Sequence, residues 1–280
     1  MDIADVAAAH GLHRIGGRPP LGEYLKSTWS RRDFIFTMAS FRMRASLETN
    51  RLGVFWLLLN PVLDALFYGV LFALLIGRER PGGYGAYVII GVFLFHFFSK
   101  CLTQGSRSIT SHRALVQSLA FPRISLPLAE VCQQFLSLLP CLGLMVVLLP
   151  FMGHWPDWDW LLFIPLMVLY VMFNTGVTLI AARLTVHIRD LTQVLPFISR
   201  ILFFASGTLF DVSQIFEKYP WVITIYDFYP LYQVLTLARG MFMGEAVAPF
   251  YWISLTIWAV AVFVGGLLFF WVAEERYGRD

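Results

Sequence analysis

The sequence predicts an all-α polytopic membrane protein with six transmembrane helices. An N-terminal amphipathic helix lies in the membrane interface, and re-entrant helices sit between spans five and six. Three observations carry this fold class. Hydrophobic residues make up 58% of the 280 residues and charged residues only 14%, against about a quarter charged in soluble domains. Six stretches are apolar over about the 20 residues that cross a hydrocarbon core: roughly 52–77, 84–104, 124–151, 159–182, 191–210 and 249–273. None shows the alternating pattern of membrane-barrel strands, so the backbone groups of each span must be satisfied within a helix.

The elements follow in chain order. Residues 1–20, with Gly16, Gly17, Pro19 and Pro20, read as a flexible tail. Asp2 and Asp5 stand where a secretory signal would carry basic residues, so the first apolar segment is expected to stay in the protein. Over 21–51, Leu21, Leu25, Trp29, Phe36, Ala39, Met43 and Leu47 fall near one line at helical spacing, with Lys26, Arg31, Arg42 and Arg44 off it. That pattern suits a helix lying in the interface, Arg32 reaching from the apolar line toward headgroups; a short soluble helix packed on a partner fits it too. The spans occupy 52–273, and 274–280 form a tail. Between spans five and six the chain reads DVSQIFEKYPWVITIYDFYPLYQVLTLARGMFMG, half-length apolar pieces interrupted by Pro220 and Pro230. Such pieces enter a membrane only where protein or a water-filled cavity covers them.

Orientation comes from the basic residues. Seventeen of the 21 Lys and Arg fall on one side: eight up to Arg51, then Lys100, Arg107, Arg113, Arg123, Arg183, Arg189, Arg200, Arg276 and Arg279. Only Arg78, Arg80, Lys218 and Arg239 fall on the other. Positive residues collect on the cytoplasmic side, so both termini are expected in the cytoplasm.

The residues exclude several chemistries. A net charge of +3 without a basic stripe argues against nucleic acid as a partner. Cys101, Cys132 and Cys141 lie in or beside apolar segments without ligand spacing, so no metal site is expected. Asp157-Trp158-Asp159 has the spacing by which some glycosyltransferases hold a metal and a sugar nucleotide, but no nucleotide-binding domain fits around it. The pair reads better as a helix start with Trp155, Trp158 and Trp160 at the interface. No phosphate-cradling G-x-x-x-x-G-K-[ST] is present, so any ATP-driven role requires a separate ATPase chain. Two charges lie inside spans: Asp64, after Asn60-Pro61, and Arg200. An ionised Asp at mid-bilayer costs on the order of 3 kcal/mol, so both should face protein or water, paired with each other or lining a path.

Four segments, in order, carry a family resemblance. FRMRASLETNRLGVFWLLLNPVLDALFYGVLF resembles the N-terminal signature of ABC-2 type exporter permeases, and LVQSLAFPRISLPLAEV their Phe-Pro-Arg…Leu-Pro segment between spans two and three. ARLTVHIRDLTQVLPFI is similar to their Arg-Asp-Leu segment, and the piece ending LARGMFMG to their last periplasmic connection. The likeness is greatest to permeases that export lipid-linked polysaccharides of the O-antigen, teichoic-acid or galactan type. Asp64 and the SGTLF after span five depart from the family pattern.

The resemblance implies a homodimer in the bacterial cytoplasmic membrane, surrounded by membrane lipids, with two copies of a nucleotide-binding ATPase. ATP and Mg are then bound by that partner, and no cofactor by this chain. It implies ATPase-coupling roles for Leu115, Gln117, Ser118, Ala120, Phe121, Pro122 and Arg123, and for Arg189, Asp190 and Leu191. It also implies an aromatic channel, for which Phe93, Phe95, Phe97, Phe98, Tyr226, Phe228, Tyr229 and Tyr232 are candidates. Sugar C–H groups stack on aromatic faces, which suits a sliding chain. The alternatives are an ABC-2 exporter of small lipids or drugs, or a membrane glycosyltransferase built on Asp157 and Asp159.

Overall fold

A computed structural model describes residues 20–48, 53–76, 83–112 and 121–274. Among these, every regular element is helical: α1 (Leu21–Ser30), α2 (Arg32–Glu48), α3 (Val54–Ile76), α4 (Tyr84–Ser106), α5 (Ser125–Phe151), α6 (Phe163–His187), α7 (Leu191–Ala205), α8 (Val212–Ile215), α9 (Pro220–Asp227), α10 (Pro230–Met243) and α11 (Pro249–Val272). Five helical stretches are long and apolar enough to cross a membrane: Phe55–Leu75, Tyr84–Ser106, Ser125–Phe151, Trp158–His187 and Pro249–Val272. The chain is a multi-pass, all-α membrane protein.

The stretch expected as span five differs. α7 has 15 residues, about 22 Å at 1.5 Å per residue, too short to cross alone. The chain nevertheless runs antiparallel to the whole of α4. At one end Arg107 Nη2 donates to the Thr192 carbonyl at 2.8 Å. At the other Tyr84 Oη donates to the Leu209 carbonyl at 2.8 Å. The non-helical residues 206–210 supply the remaining length.

Contacts at the helix ends show that consecutive long helices alternate in direction. Gly83, opening α4, lies against His154, which follows α5. Arg123, before α5, bonds Glu274, after α11. α4 is the hub, packed against α3, α5, α6, α7 and α10, with Ile90, Phe93 and Leu94 fully enclosed. α6 and α11 approach so closely that a Cβ on Gly176 would run into the Val262 carbonyl, and one on Gly266 into the Gly176 carbonyl. Small residues that let backbones meet are the usual means of packing helices in lipid. α9 and α10 each open on a proline, whose missing N–H is no loss in a first turn.

The expected interfacial helix is two helices, broken at Arg31. Tyr24 and Thr28 are buried, whereas Leu25, Trp29 and Phe36 of the expected apolar line are exposed and Ala39 of that line is buried. The cause is the Tyr24 hydroxyl, which donates to Glu274 Oε2 at 2.7 Å and draws its face inward, leaving the larger apolar side chains for lipid.

Candidate functional site

α4 carries the polar groups that an apolar chain would be expected to avoid. His96, Lys100, Gln104 and Arg107 follow at i, i+4, i+8 and i+11, within about 80° of one face. This face separates two cavities and lines both. The larger, about 580 Å³, lies between α3, α4 and α5 and is also lined by Trp56, Asn60, Phe93, Phe97, Ser108 and Gln133. The smaller, about 440 Å³, lies between α3, α4 and α7 and adds Asp64, Tyr68, Phe95, Ser199, Arg200 and Phe203. Ser199 Oγ donates to Ser99 Oγ at 2.7 Å and fixes α7 against α4 there.

The charges around the larger cavity fall into two kinds. Arg42 is neutralised: Nη1 lies 3.3 Å from Glu130 Oε2, and Nη2 is 2.8 Å from His112 Nε2. His112 Nδ1 is 2.9 Å from the Ser108 carbonyl, so that nitrogen carries the proton and Nε2 accepts from Arg42. Burial and the neighbouring guanidinium hold the His112 pKa below the ordinary histidine value. Burial also lowers the Arg42 pKa, with Glu130 opposing that shift. Gln134 Nε2 donates to Glu130 Oε1 at 2.7 Å and completes the carboxylate. Lys100 is different: among the described residues its ammonium has neither a hydrogen bond nor an ion pair.

Asp64 and Arg200 do not pair, but both line the smaller cavity, and both are exposed. Phe67, Phe197 and Ile201, their neighbours along α3 and α7, are exposed apolar side chains.

The candidate aromatic residues divide into two groups. Phe93 and Phe97 line the larger cavity and Phe95 the smaller, while Phe98 stacks on Phe173. All four are buried. Tyr226, Tyr229 and Tyr232 pack together and Phe228 meets Phe250. This second group lines none of the cavities described and belongs to α9, α10 and the start of α11.

Of the candidate coupling residues, Leu115, Gln117, Ser118 and Ala120 lie outside the described residues. Phe121 packs against Phe34 of α2, ring centroids 5.9 Å apart, and Pro122 is half-buried beside it. The Arg123 guanidinium donates to the Glu274 carbonyl, and its backbone N–H to Glu274 Oε1 at 3.0 Å. Arg189 and Asp190 are exposed in the turn before α7, with Leu191 half-buried. The Arg107–Thr192 bond joins the first turn of α7, just after these residues, to the end of α4.

Arg239 was counted by sequence among loop charges, yet it is 3% exposed. Its Nη1 and Nη2 donate to the carbonyls of Gly207 (3.0 Å) and Thr208 (2.8 Å), and Nε reaches Tyr87 O at 3.4 Å. The guanidinium carbon sits 3.3 Å from the Tyr87 ring centroid. Tyr87 Oη donates to Gly207 O and Phe210 O. These bonds satisfy the carbonyls freed where α7 ends short, the requirement for non-helical backbone at membrane depth. The Asp157-Trp158-Asp159 motif is a helix start: Asp157 Oδ1 accepts from Trp158 N at 2.7 Å, with Trp155 and Trp158 exposed.

A helical bundle that carries a polar face and two cavities into its apolar body is a membrane protein of the transporter class. The family comparison agrees: residues 34–243 match the ABC-2 type transporter family, and the chain belongs to it. It is 27% identical over 248 residues to the O-antigen export system permease protein RfbA of Klebsiella pneumoniae, covering 88% of this chain and 94% of that protein. It is also 27% identical over 194 residues to an O-antigen export system permease protein RfbA of Myxococcus xanthus, covering 69% and 74%.

Proposed function

We propose that this chain is the membrane subunit of an exporter that moves a polyprenyl-linked cell-surface polysaccharide out across the bacterial cytoplasmic membrane. The observation that carries the reading is the face shared by α3, α4 and α7. There Asp64, Lys100 and Arg200 gather at membrane depth around a cavity with aromatic walls. Charges on an outward face cannot be left in lipid, so a second copy of the chain covers them, and the path runs between the copies. In this reading α7 with residues 206–210 makes the sixth crossing, both termini are cytoplasmic, and α9 and α10 are the re-entrant elements.

Energy comes from two copies of a separate ATPase, which holds ATP and Mg. The coupling elements converge at one end of the bundle. The turn at Arg189 and Asp190 is tied to α4 through Arg107, and Phe121-Pro122-Arg123 is tied to α2 and to Glu274. A push on either element is thereby delivered to helices that line the cavities.

Depletion of the chain in cells tests this role. Retention of lipid-linked polymer on the inner face supports it. Normal surface polymer with altered sensitivity to drugs would point to export of small lipids or drugs instead. Co-purification with an ATPase is expected, and Arg123→Ala should uncouple ATP hydrolysis from export while the chain still inserts.

A further inference from the structure

We infer that the α4 face formed by His96, Lys100, Gln104 and Arg107 is a binding site for the phosphate or diphosphate head of a lipid, which it draws in from the α4 C-terminal end. This assignment rests on the export reading above and names what the permease holds first.

Four observations converge on it. The face is continuous: it runs from Arg107, just past the last turn of α4, to His96 near the helix midpoint, about 16 Å at 1.5 Å per residue. It is cationic, and among the described residues Lys100 forms no ion pair. Glu130, the carboxylate lining the larger cavity, is already taken by Arg42 and Gln134. Asp64, which lines the smaller cavity, attracts Lys100 electrostatically but lies beyond ion-pairing distance of it. Its donors are available: Lys100 has no partner among the described residues, and Arg107 has one nitrogen on the Thr192 carbonyl out of five N–H donors. Finally, Ser108 Oγ, on a residue 2% exposed, is an unpartnered hydroxyl in the wall of the larger cavity. A buried donor without an acceptor is unfavourable unless a ligand completes it.

The spread of donors indicates the ligand. A single carboxylate presents two oxygens, whereas these groups lie along several turns and match the larger oxygen set of a phosphate or diphosphate. The walls indicate its tether. Trp56, Phe93 and Phe97 flank the cationic face, so the anion should arrive attached to an apolar chain.

The test is calorimetric titration of the purified full-length protein in detergent with farnesyl diphosphate, farnesol or inorganic pyrophosphate. Farnesyl diphosphate should bind, and the Lys100→Gln, Arg107→Gln double variant should lose at least about tenfold in affinity, about 1.4 kcal/mol. Weak farnesol uptake should not change. Lys100→Gln alone removes no hydrogen bond or ion pair among the described residues, so weaker binding at an unchanged melting temperature cannot come from misfolding. Lys100→Arg should restore binding, and Lys26→Gln, on the exposed face of α1, should bind as the parent does. Equal affinity of the parent and double variant for farnesyl diphosphate overturns the site. Pyrophosphate binding as tightly as farnesyl diphosphate overturns the lipid assignment, because the site would then take a free anion. The export role is read separately, from polymer retained in depleted cells, so either reading can fail while the other stands.

Discussion

Arg239 and Lys100 are cations on opposite halves of the bundle, and their surroundings could hardly differ more. Arg239 meets three carbonyls and an aromatic face; Lys100, among the described residues, has no hydrogen bond or ion pair and borders both polar cavities. Both are expensive to place in an apolar interior. The first is held because it closes a gap in the backbone where α7 stops. The second closes nothing; Asp64, beyond ion-pairing distance, offsets part of its cost, and the rest must be met by water or a ligand. A satisfied buried charge is part of the architecture, and an unsatisfied one beside a cavity belongs to function.

The comparison breaks most visibly at Arg239. Arg239→Met leaves the Gly207 and Thr208 carbonyls without their guanidinium donors, and unmet buried polar groups cost about 1–3 kcal/mol each. A loss of roughly 3 kcal/mol or more is expected, read as a large fall in melting temperature or in folded yield. Arg239→Lys should recover little, since an ammonium cannot serve carbonyls on several residues and also lie flat on the Tyr87 ring. Next in size is Gly91→Ala. A Cβ at Gly91 would lie 2.7 Å from Arg239 Nη2 and 2.8 Å from the Thr208 carbonyl. Displacing the clamp without deleting it should cost about 1–3 kcal/mol, and a melting temperature equal to the parent's would show that the clamp yields freely.

How much of this was legible beforehand depends on the kind of signal. The long apolar runs announce the helical membrane class because hydropathy over a span is a sum that few local details can overturn. The α7 region is harder to read: 191–210 is mostly apolar, but Gly207 adopts φ +69° and the helix stops at Ala205. Bonds from Arg239, Tyr84 and Tyr87, more than 25 residues away, hold the non-helical remainder in place. Asp64 and Arg200 stood out as charges inside spans, but whether they pair or line a cavity depends on helix rotation, which one sequence does not specify. Counting basic residues by loop discards their spacing, so it assigns Lys100, Arg107 and Arg239 to a side without showing the face or the clamp they form. The repeat in FHFFSKCLTQGSR, with polar residues at helical intervals, was the readable sign.

Between the two extremes stands Glu274, a carboxylate 8% exposed that accepts from the Tyr24 hydroxyl and the Arg123 N–H. Burial raises its pKa above the ordinary 4.5, and the Arg123 and Tyr24 bonds oppose that shift. A raised folded-state value means the folded protein holds the proton more tightly. The stabilisation is therefore complete below about 4.5 and is lost as pH rises through the raised value. Glu274→Gln should remove this part of the pH dependence and change stability by no more than about 1 kcal/mol at either extreme. Melting curves of parent and variant at pH 4 and pH 8 measure it, and parallel pH profiles would show that Glu274 does not titrate differently in the folded state.

The smallest expected effect sharpens the comparison most. Lys100→Met removes a cation from α4 as Arg239→Met removes one from α10, with a similar unbranched replacement. Since Lys100 has no hydrogen bond or ion pair to lose among the described residues, stability should move by no more than about 0.5 kcal/mol. A slight gain is the expected direction, because an uncompensated charge leaves a helix that crosses the membrane. Export, followed as polymer reaching the cell surface, should fall sharply in the same variant. A large drop in melting temperature would show that Lys100 is structurally paired in the assembled protein, and the distinction between the two cations would then be lost. Unchanged stability with impaired export assigns the α4 charge to transport and leaves the Arg239 charge to the fold.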